Sequence, residues 1–118
     1  MPIPNLKNIS SIHAKSATLN LTTSATDILQ NSASSNKTLK ISSLLIANVG
    51  SASATYTLDF LRSSTATRIV KDLSVSVGGT SVALSRDTTI YLEEGDSLRL
   101  TASNNSSLEA LCSYEEIT

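Results

Sequence analysis

The stretch "TLKISSLLIANVGSASATYTLDFLRS", residues 38 to 63, decides the fold class, because it holds two different strand patterns joined by a turn. Its first half carries six aliphatic residues from Leu39 to Val49, too many for a strand at the edge of a sheet. The pair Ser42 and Ser43 interrupts the register of this half. We interpret it as a central strand with a β-bulge.

The second half and several other stretches alternate apolar with polar residues, which is typical of half-buried antiparallel strands. Helical periodicity is weak; "ATDILQNSASS" around Ile28 comes nearest, and Ser and Asn end it within about two turns. The alternating stretches are "SATLNLTTS" (Leu19, Leu21), "ATYTLDFLRS" (Tyr56, Leu58, Phe60), "DLSVSVGG" (Leu73, Val75, Val77) and "DSLRLTAS" (Leu98, Leu100).

Turn residues separate these stretches about every ten positions. We expect Gly50 in "NVGSAS", and Gly79 with its neighbour Gly78 in "GGT", to supply positive φ angles between strands. The asparagines of "SNN", residues 103 to 105, tolerate the left-handed region in the same way. Strands with this spacing predict an all-β fold, a single antiparallel β-sandwich of about seven to nine strands. Jelly-roll and immunoglobulin-like connections both remain open.

The chain has 118 residues, which is enough for one domain. We predict an extended N-terminal arm over residues 1–15, in which Pro2 and Pro4 stand among polar residues, and a β-sandwich domain over residues 16–118. The first 16 residues, "MPIPNLKNISSIHAKS", lack a long apolar run and predict neither a signal peptide nor a membrane span. We therefore expect the protein to be made in a cytoplasm.

The charge pattern excludes two classes of partner. Nine basic residues stand against ten acidic ones without a basic cluster, whereas binding to a phosphate backbone needs a concentrated positive field. We expect no nucleic-acid partner and no membrane partner. Charged residues make up 16% of the chain, below the usual share of about 25%, so the expected surface is rich in hydroxyl groups.

The stretch "IYLEEGDSLRLTAS", residues 90 to 103, concentrates acidic residues more than any other, and we call residues 93–96 the acidic corner. Glu94 would point into the core if the strand continued, so we expect the strand to end before it. Gly95 and Asp96 then form the turn, with the Asp96 carboxylate accepting backbone N–H groups. A calcium site needs five or more oxygen ligands, and the corner supplies part of one. We predict a structural turn and no cofactor; ion binding at Glu93–Asp96 stays open.

The remaining reactive residues give no catalytic constellation, and we predict that the protein is not an enzyme. His13 is the single histidine and has no acidic residue within ten positions to orient it. Cys112 is the single cysteine and shares the register of apolar neighbours, which predicts a buried, inert thiol. The "VSVGGTS" stretch lacks the lysine and spacing of a phosphate-binding loop. Glu115 and Glu116 are expected at a solvated edge or a subunit contact.

From "LLIANVGSASATYTLDFLRS" through "IYLEEGDSLRLTASNNSSLEALCSYEEIT", the last two thirds of the chain resembles small β-sandwich structural proteins of tailed bacteriophage virions. The resemblance rests on the order of an apolar strand ending "IANVG", an alternating strand, a strand closing on a Gly turn, "YLEEGDSL", "TAS" and a final strand ending "SYEEI". The family often has a proline in the turn where this chain has "VGG". The resemblance implies a virion component assembled in the host cytoplasm, with no catalytic residues to transfer.

Within that family the expected role is a capsid decoration or cement protein, because a compact sandwich with an extended arm suits the clamping of neighbouring capsomers. Its expected partners are other virion proteins, either the major capsid protein or neck and tail proteins. It is expected to form a homo-oligomer, with a trimer as the candidate form. A neck or tail accessory protein is the first alternative. A host-surface glycan-binding or adhesion module is the second, favoured by an exposed Tyr91; a small hydrolase has almost no support.

Overall fold

The structure is a computed structural model that describes residues 7–118. The chain folds as an all-β sandwich of two antiparallel sheets, as the sequence predicts. Apart from a three-residue 3₁₀ helix, Arg86–Thr88, the described residues contain no helix. The nine strands within residues 7–118 are β1 (Ile12–Asn20), β2 (Thr26–Gln30), β3 (Thr38–Asn48), β4 (Ala54–Arg62), β5 (Thr65–Val75), β6 (Thr80–Leu84), β7 (Ile90–Leu92), β8 (Ser97–Ala102) and β9 (Leu108–Ile117).

The strand order decides between the two connections that the alternation left open. Sheet A has the order β1-β9-β3-β6, with the short β7 also paired to β3, and sheet B has the order β2-β8-β4-β5. The first strand lies beside the last, and the chain passes repeatedly between the sheets, which is the connection of a jelly roll. The strands that meet at the centre of each sheet are therefore far apart in the sequence.

Strand β3 is central in sheet A, as its apolar composition predicts. It pairs with β9 on one side and with β6 and β7 on the other. Its register against β9 shifts between Ile41 and Ser43, at the serine pair where a bulge is predicted. A second shift, between Leu44 and Leu45, occurs against β6.

The core between the sheets is aliphatic, with a single large aromatic ring. The side chain of Tyr56 is 1% exposed, and its hydroxyl lies 2.8 Å from the hydroxyl of Ser81, so its polar end is satisfied. The fully buried side chains around it come from both sheets: Leu21, Ile41, Leu44, Ile46, Leu58, Leu92, Leu98, Leu100, Leu108 and Cys112.

Two sequence-based boundaries need correction. Residues 12–15 of the predicted arm belong to β1, where they pair with the end of β9, so the boundary at residue 15 lies inside a strand. Pro2 and Pro4 lie outside the described residues. The stretch around Ile28, the nearest to a helical pattern, is strand β2, because it pairs with β8 and directs Ile28 and Leu29 into the core.

The predicted register of "DLSVSVGG" is partly wrong. Val75 is buried, but Leu73 and Val77 are 46% and 53% exposed. Strand β5 ends at Val75, and its register against β4 shifts twice while Asp72 adopts a φ of 48°. These irregularities rotate side chains out of strict alternation, as expected of a bulged edge strand.

The acidic corner and two unlike sheet faces

The acidic corner forms between β7 and β8, and the strand ends at Leu92, before Glu94, as expected. Gly95 has a φ of 89°, in the left-handed region that glycine adopts without steric cost. Asp96 is 2% exposed, and its Oδ2 accepts a 2.9 Å hydrogen bond from the backbone N–H of Glu93. The Asp96 side chain therefore stabilises the turn through this hydrogen bond.

Arg62, at the end of β4, joins the corner to sheet B. Its Nε donates to Asp96 Oδ1 at 2.9 Å and its Nη2 to Asp96 Oδ2 at 2.6 Å, which makes a bidentate pair. The same Nη2 donates to Glu93 Oε2 at 2.7 Å. The pKa of Arg62 is raised above its usual value, and hydrogen bonding to Asp96 is the main cause. The guanidinium thus occupies the position between two carboxylates that a cation would need.

The loop after β2 supports the corner from its other side. Asn31 is 2% exposed; its backbone N–H donates to Asp96 O at 2.8 Å, and its carbonyl accepts from Gly95 N at 2.7 Å. The side-chain amide of Asn31 donates to Leu92 O at 2.9 Å. Glu94 Oε2 accepts from the backbone N–H of the same loop at 2.8 Å, while Glu94 Oε1 is buried and has no hydrogen-bond partner within residues 7–118.

These contacts explain the corner through protein groups. The residues that bind it together come from β4 and from the β2–β3 loop, which sequence reasoning did not connect with it. Within residues 7–118, no group of three or more His, Cys, Asp or Glu side chains is placed to hold a metal ion. A shallow cavity of about 350 Å³ opens beside the corner, and Arg62 lines it together with the carboxylates.

The other predicted turn glycines behave differently from expectation. Gly50 and Gly79 lie between strands, but neither has a positive φ, so that part of the expectation is wrong; Gly78 has the positive φ instead, at 74°. Gly50 instead allows a close approach to the β8–β9 turn, because a Cβ there would lie 3.0 Å from Ser107 Oγ and 3.3 Å from Ser107 Cα. In the turn after β8, the left-handed residue is Ser106 rather than an asparagine of "SNN".

The single cysteine and the single histidine lie apart. Cys112 is fully buried in the core, and burial raises the pKa of its thiol to about 11. His13 is exposed on β1, where its register partner is Glu116. Glu116 accepts hydrogen bonds from Lys37 at 2.9 Å and Lys15 at 3.1 Å, and the bond from Lys37 chiefly lowers its pKa. These charges tie β1, β9 and the β2–β3 loop together at one end of sheet A.

The outward surface of sheet B, which we call the sheet B face, carries a row of alternating charges. Cross-strand register aligns the four residues of this row, one on each strand. Ion pairs of 3.2 Å and 2.9 Å join its two outer pairs. The face is therefore suited to contact with water. In order across the sheet the row is Asp27, Arg99, Asp59 and Arg68.

The outward surface of sheet A, which we call the sheet A face, has the opposite character. Leu44 and Ile46 of β3 and Ala110 of β9 point into the core. The residues that alternate with them along each strand therefore point outward. Cross-strand register places four of the outward residues in one row, again one on each strand. The row is Thr18, Leu111, Leu45 and Val82.

Small and hydroxyl-bearing residues surround this apolar row. Ser16, Ser43 and Ser113 follow it on one side, and on the other side Ala47 and Thr80 lie in one row with Asn20 and Glu109. Tyr91 is 43% exposed at the far end of the same face, and the other rings, Tyr56, Phe60 and Tyr114, pack on or in the core.

Residues 7–118 include no helix long and apolar enough to cross a membrane.

Comparison with known proteins shows a similarity of fold and assigns no family. No protein-family model matches the chain, and no curated protein matches it. A solved structure from Bacillus endospore appendages, which form a novel family of disulfide-linked pili, is similar to it with a TM-score of 0.56. The similarity covers 92% of this chain and 87% of that one at 14% sequence identity, so it shows a shared fold.

Proposed function

We propose that this protein is a non-enzymatic structural component of a tailed-bacteriophage particle, and that it decorates or cements the capsid through contacts with other virion proteins. The sheet A face is the observation that carries the proposal. It has an apolar centre without charged residues and a polar surround, and protein interfaces have an apolar core that is depleted of charge and a polar rim.

The contrast between the two faces supports this assignment. Burying the ionic row of the sheet B face would require removing charged groups from water, which is costly even for paired ions. Burying leucine, valine and alanine on the sheet A face releases water from apolar surface, and serine and threonine cost less to desolvate than charged groups. A protein partner is therefore expected on sheet A.

The chemistry of the remaining residues supports the non-enzymatic part of the proposal. His13 is exposed and has a surface position on an edge strand, whereas a general base needs an oriented partner and a substrate cavity. The raised pKa of Cys112 keeps its thiol protonated at neutral pH. The carboxylates of the corner are held by Arg62.

An add-back experiment tests the proposal. Particles of the encoding phage that lack this gene are mixed with the purified protein, and sedimentation then measures how much protein binds to each particle. We expect saturable binding and a higher temperature of DNA release. Leu111→Glu should weaken binding if the sheet A face, directly or through self-association, is required; Thr101→Lys, on the central strand β8 of the sheet B face, is the matched control.

A cryo-EM map of the complete particle separates the virion locations. Sandwich density at threefold or quasi-threefold positions of the shell would support the cement role, and density restricted to the neck or tail would assign an accessory role there. Absence of both binding and density would refute a virion function.

A subunit of an extracellular appendage is the second candidate, favoured by the structural similarity to Bacillus endospore appendages. Those appendages are disulfide-linked pili, whereas the one thiol of this chain, that of Cys112, is buried in the core. Linkage would thus have to be non-covalent. Filaments of the purified protein seen by negative-stain electron microscopy, without binding to phage particles, would favour this candidate.

A further inference from the structure

We infer that the sheet A face packs against the same face of a second copy of this chain, so that Leu45 and Leu111 lie at the centre of a two-fold interface. The inference rests on the proposed role as an assembly component and names the partner of this face. Both leucines are on the central strands, β3 and β9, and they are cross-strand partners.

The size of the face suits a partner of this kind. Three strands about 4.8 Å apart, paired over about nine residues of about 3.3 Å each, together with the shorter β6 and β7 beside β3, make a surface on the order of 500 Å² before side-chain relief is counted. A stable protein–protein interface buries about 800 Å² on each partner. One sheet face, with its side-chain relief, therefore supplies what one copy of a dimer needs.

The face has both projecting side chains and a recess. Leu111 and Val82 project, with 40% and 61% of their surface exposed, and a groove of about 510 Å³ extends from Leu111 over Ala47 to Glu109. In a two-fold interface each copy contributes the same surface, so a projection can enter the partner's groove at two equivalent places. The face presents both the projection and the recess that such packing requires.

The charges of the face also favour a second copy. Among its described residues, the formal charges are those of Glu109, Glu115 and Lys40, and the last two pair with each other at 3.8 Å. Glu109 is left at one end of the face. A strongly charged partner would find no complementary field here, whereas two nearly neutral copies meet without marked repulsion.

Analytical ultracentrifugation of the full chain tests the inference. We expect the wild type to dimerise reversibly, and Leu111→Glu and Leu111→Lys each to raise the dissociation constant at least tenfold by placing like charges at the two-fold centre. Mixing the Glu and Lys variants should restore dimers, because opposite charges then meet. Thr101→Lys places on the sheet B face the positive charge that Leu111→Lys places on the sheet A face, and it should dimerise like the wild type.

Circular dichroism and thermal melting establish that each variant is folded, and Val82→Lys, on the more exposed edge strand β6, provides a second disruption of the face. A wild type that stays monomeric at millimolar concentration overturns the inference. So do dimers that the Leu111 and Val82 variants leave intact. Monomers that nevertheless bind phage particles would refute the two-fold interface alone; dimers that bind no particle would refute the virion function alone.

Discussion

Replacement of Asp96 by asparagine tests whether the acidic corner is held together by protein contacts. Asp96 is 2% exposed and accepts three hydrogen bonds, from the backbone of Glu93 and twice from Arg62. Hydrogen bonds to charged groups contribute about 1.5–3 kcal/mol each in net terms. The Arg62 side chain is 51% exposed and regains water when released, so we expect Asp96→Asn to cost about 2–3 kcal/mol in total.

A double-mutant cycle assigns that cost to the pair. Arg62→Gln leaves a nearly buried carboxylate with the Glu93 N–H as its remaining partner, and we expect it to cost about 2–4 kcal/mol, since an uncompensated buried charge costs about 3–5 kcal/mol. The double variant should lose about 1–2 kcal/mol less than the two single losses combined. Urea unfolding measures each value, with an unchanged slope as the check on two-state behaviour.

The control is Asp87→Asn, because Asp87 is an exposed residue of the 3₁₀ helix, and this change should alter the free energy of unfolding by less than about 0.5 kcal/mol. An Asp96→Asn variant as stable as the wild type would refute the structural reading of the corner. So would calcium, added in millimolar excess, if it raised the melting temperature of the wild type and not of the Asp96 variant, since ligands stabilise the state that binds them.

Three further predictions concern the turn after β4, the core thiol and the end of sheet A. Ser64 has a φ of 64°, a conformation that costs an L-residue about 1–2 kcal/mol, so Ser64→Gly should raise the free energy of unfolding by about 0.5–1 kcal/mol; destabilisation would contradict this. Cys112, whose pKa is about 11, should react with a thiol reagent at pH 8 only after unfolding in urea, and rapid labelling of the native protein would show that it is accessible. The pKa of Glu116 is lower in the folded state, so its contribution to stability is present above the unfolded pKa, about 4.3, and is lost as the pH falls through the folded pKa. Glu116→Gln should therefore flatten the acid side of the stability curve measured by urea unfolding, and an unchanged curve would contradict the assignment.

The core strands were predictable because alternation alone determines which side chains are buried. Tyr56 and Leu58 in β4, and Leu98 and Leu100 in β8, are buried as their register predicts. The bulge at Ser42 and Ser43 was predictable for the same reason, because two adjacent serines break the period at a position where the flanking pattern resumes on both sides.

Alternation failed where backbone conformation changed the register. Leu73 is exposed because Asp72 adopts a left-handed φ and β5 slips twice against β4. Aspartate tolerates that conformation better than most residues, but the sequence "RIVKDLSV" does not predict where the register shifts. The left-handed residue of the β8–β9 turn is likewise a serine, although the neighbouring asparagines tolerate that conformation better. Tertiary contacts outweigh such local preferences.

The partners of the acidic corner could not be identified from the sequence. The turn chemistry of Gly95 and Asp96 is local, and it could be predicted from residue type. Arg62, however, precedes Asp96 by 34 positions along the chain, and Asn31 precedes Asp96 by 65 positions. They meet because β8 lies between β4 and β2 in sheet B, and that order follows from the jelly-roll connection, which alternation alone does not distinguish from an immunoglobulin-like one.

The run of apolar residues in β3 gives an independent reason to expect a covered outer face. A strand that is buried on one side alternates, whereas a strand that is buried on both sides is apolar at consecutive positions. Leu44, Leu45 and Ile46 are consecutive, yet the sandwich covers only the first and the last of them fully. The two cross-strand partners of Leu45 are Leu111 on β9 and Val82 on β6. Both are apolar, although a position in contact with water could hold a polar residue. The pattern that made β3 a central strand is therefore in agreement with the proposed second layer on the outer face of sheet A.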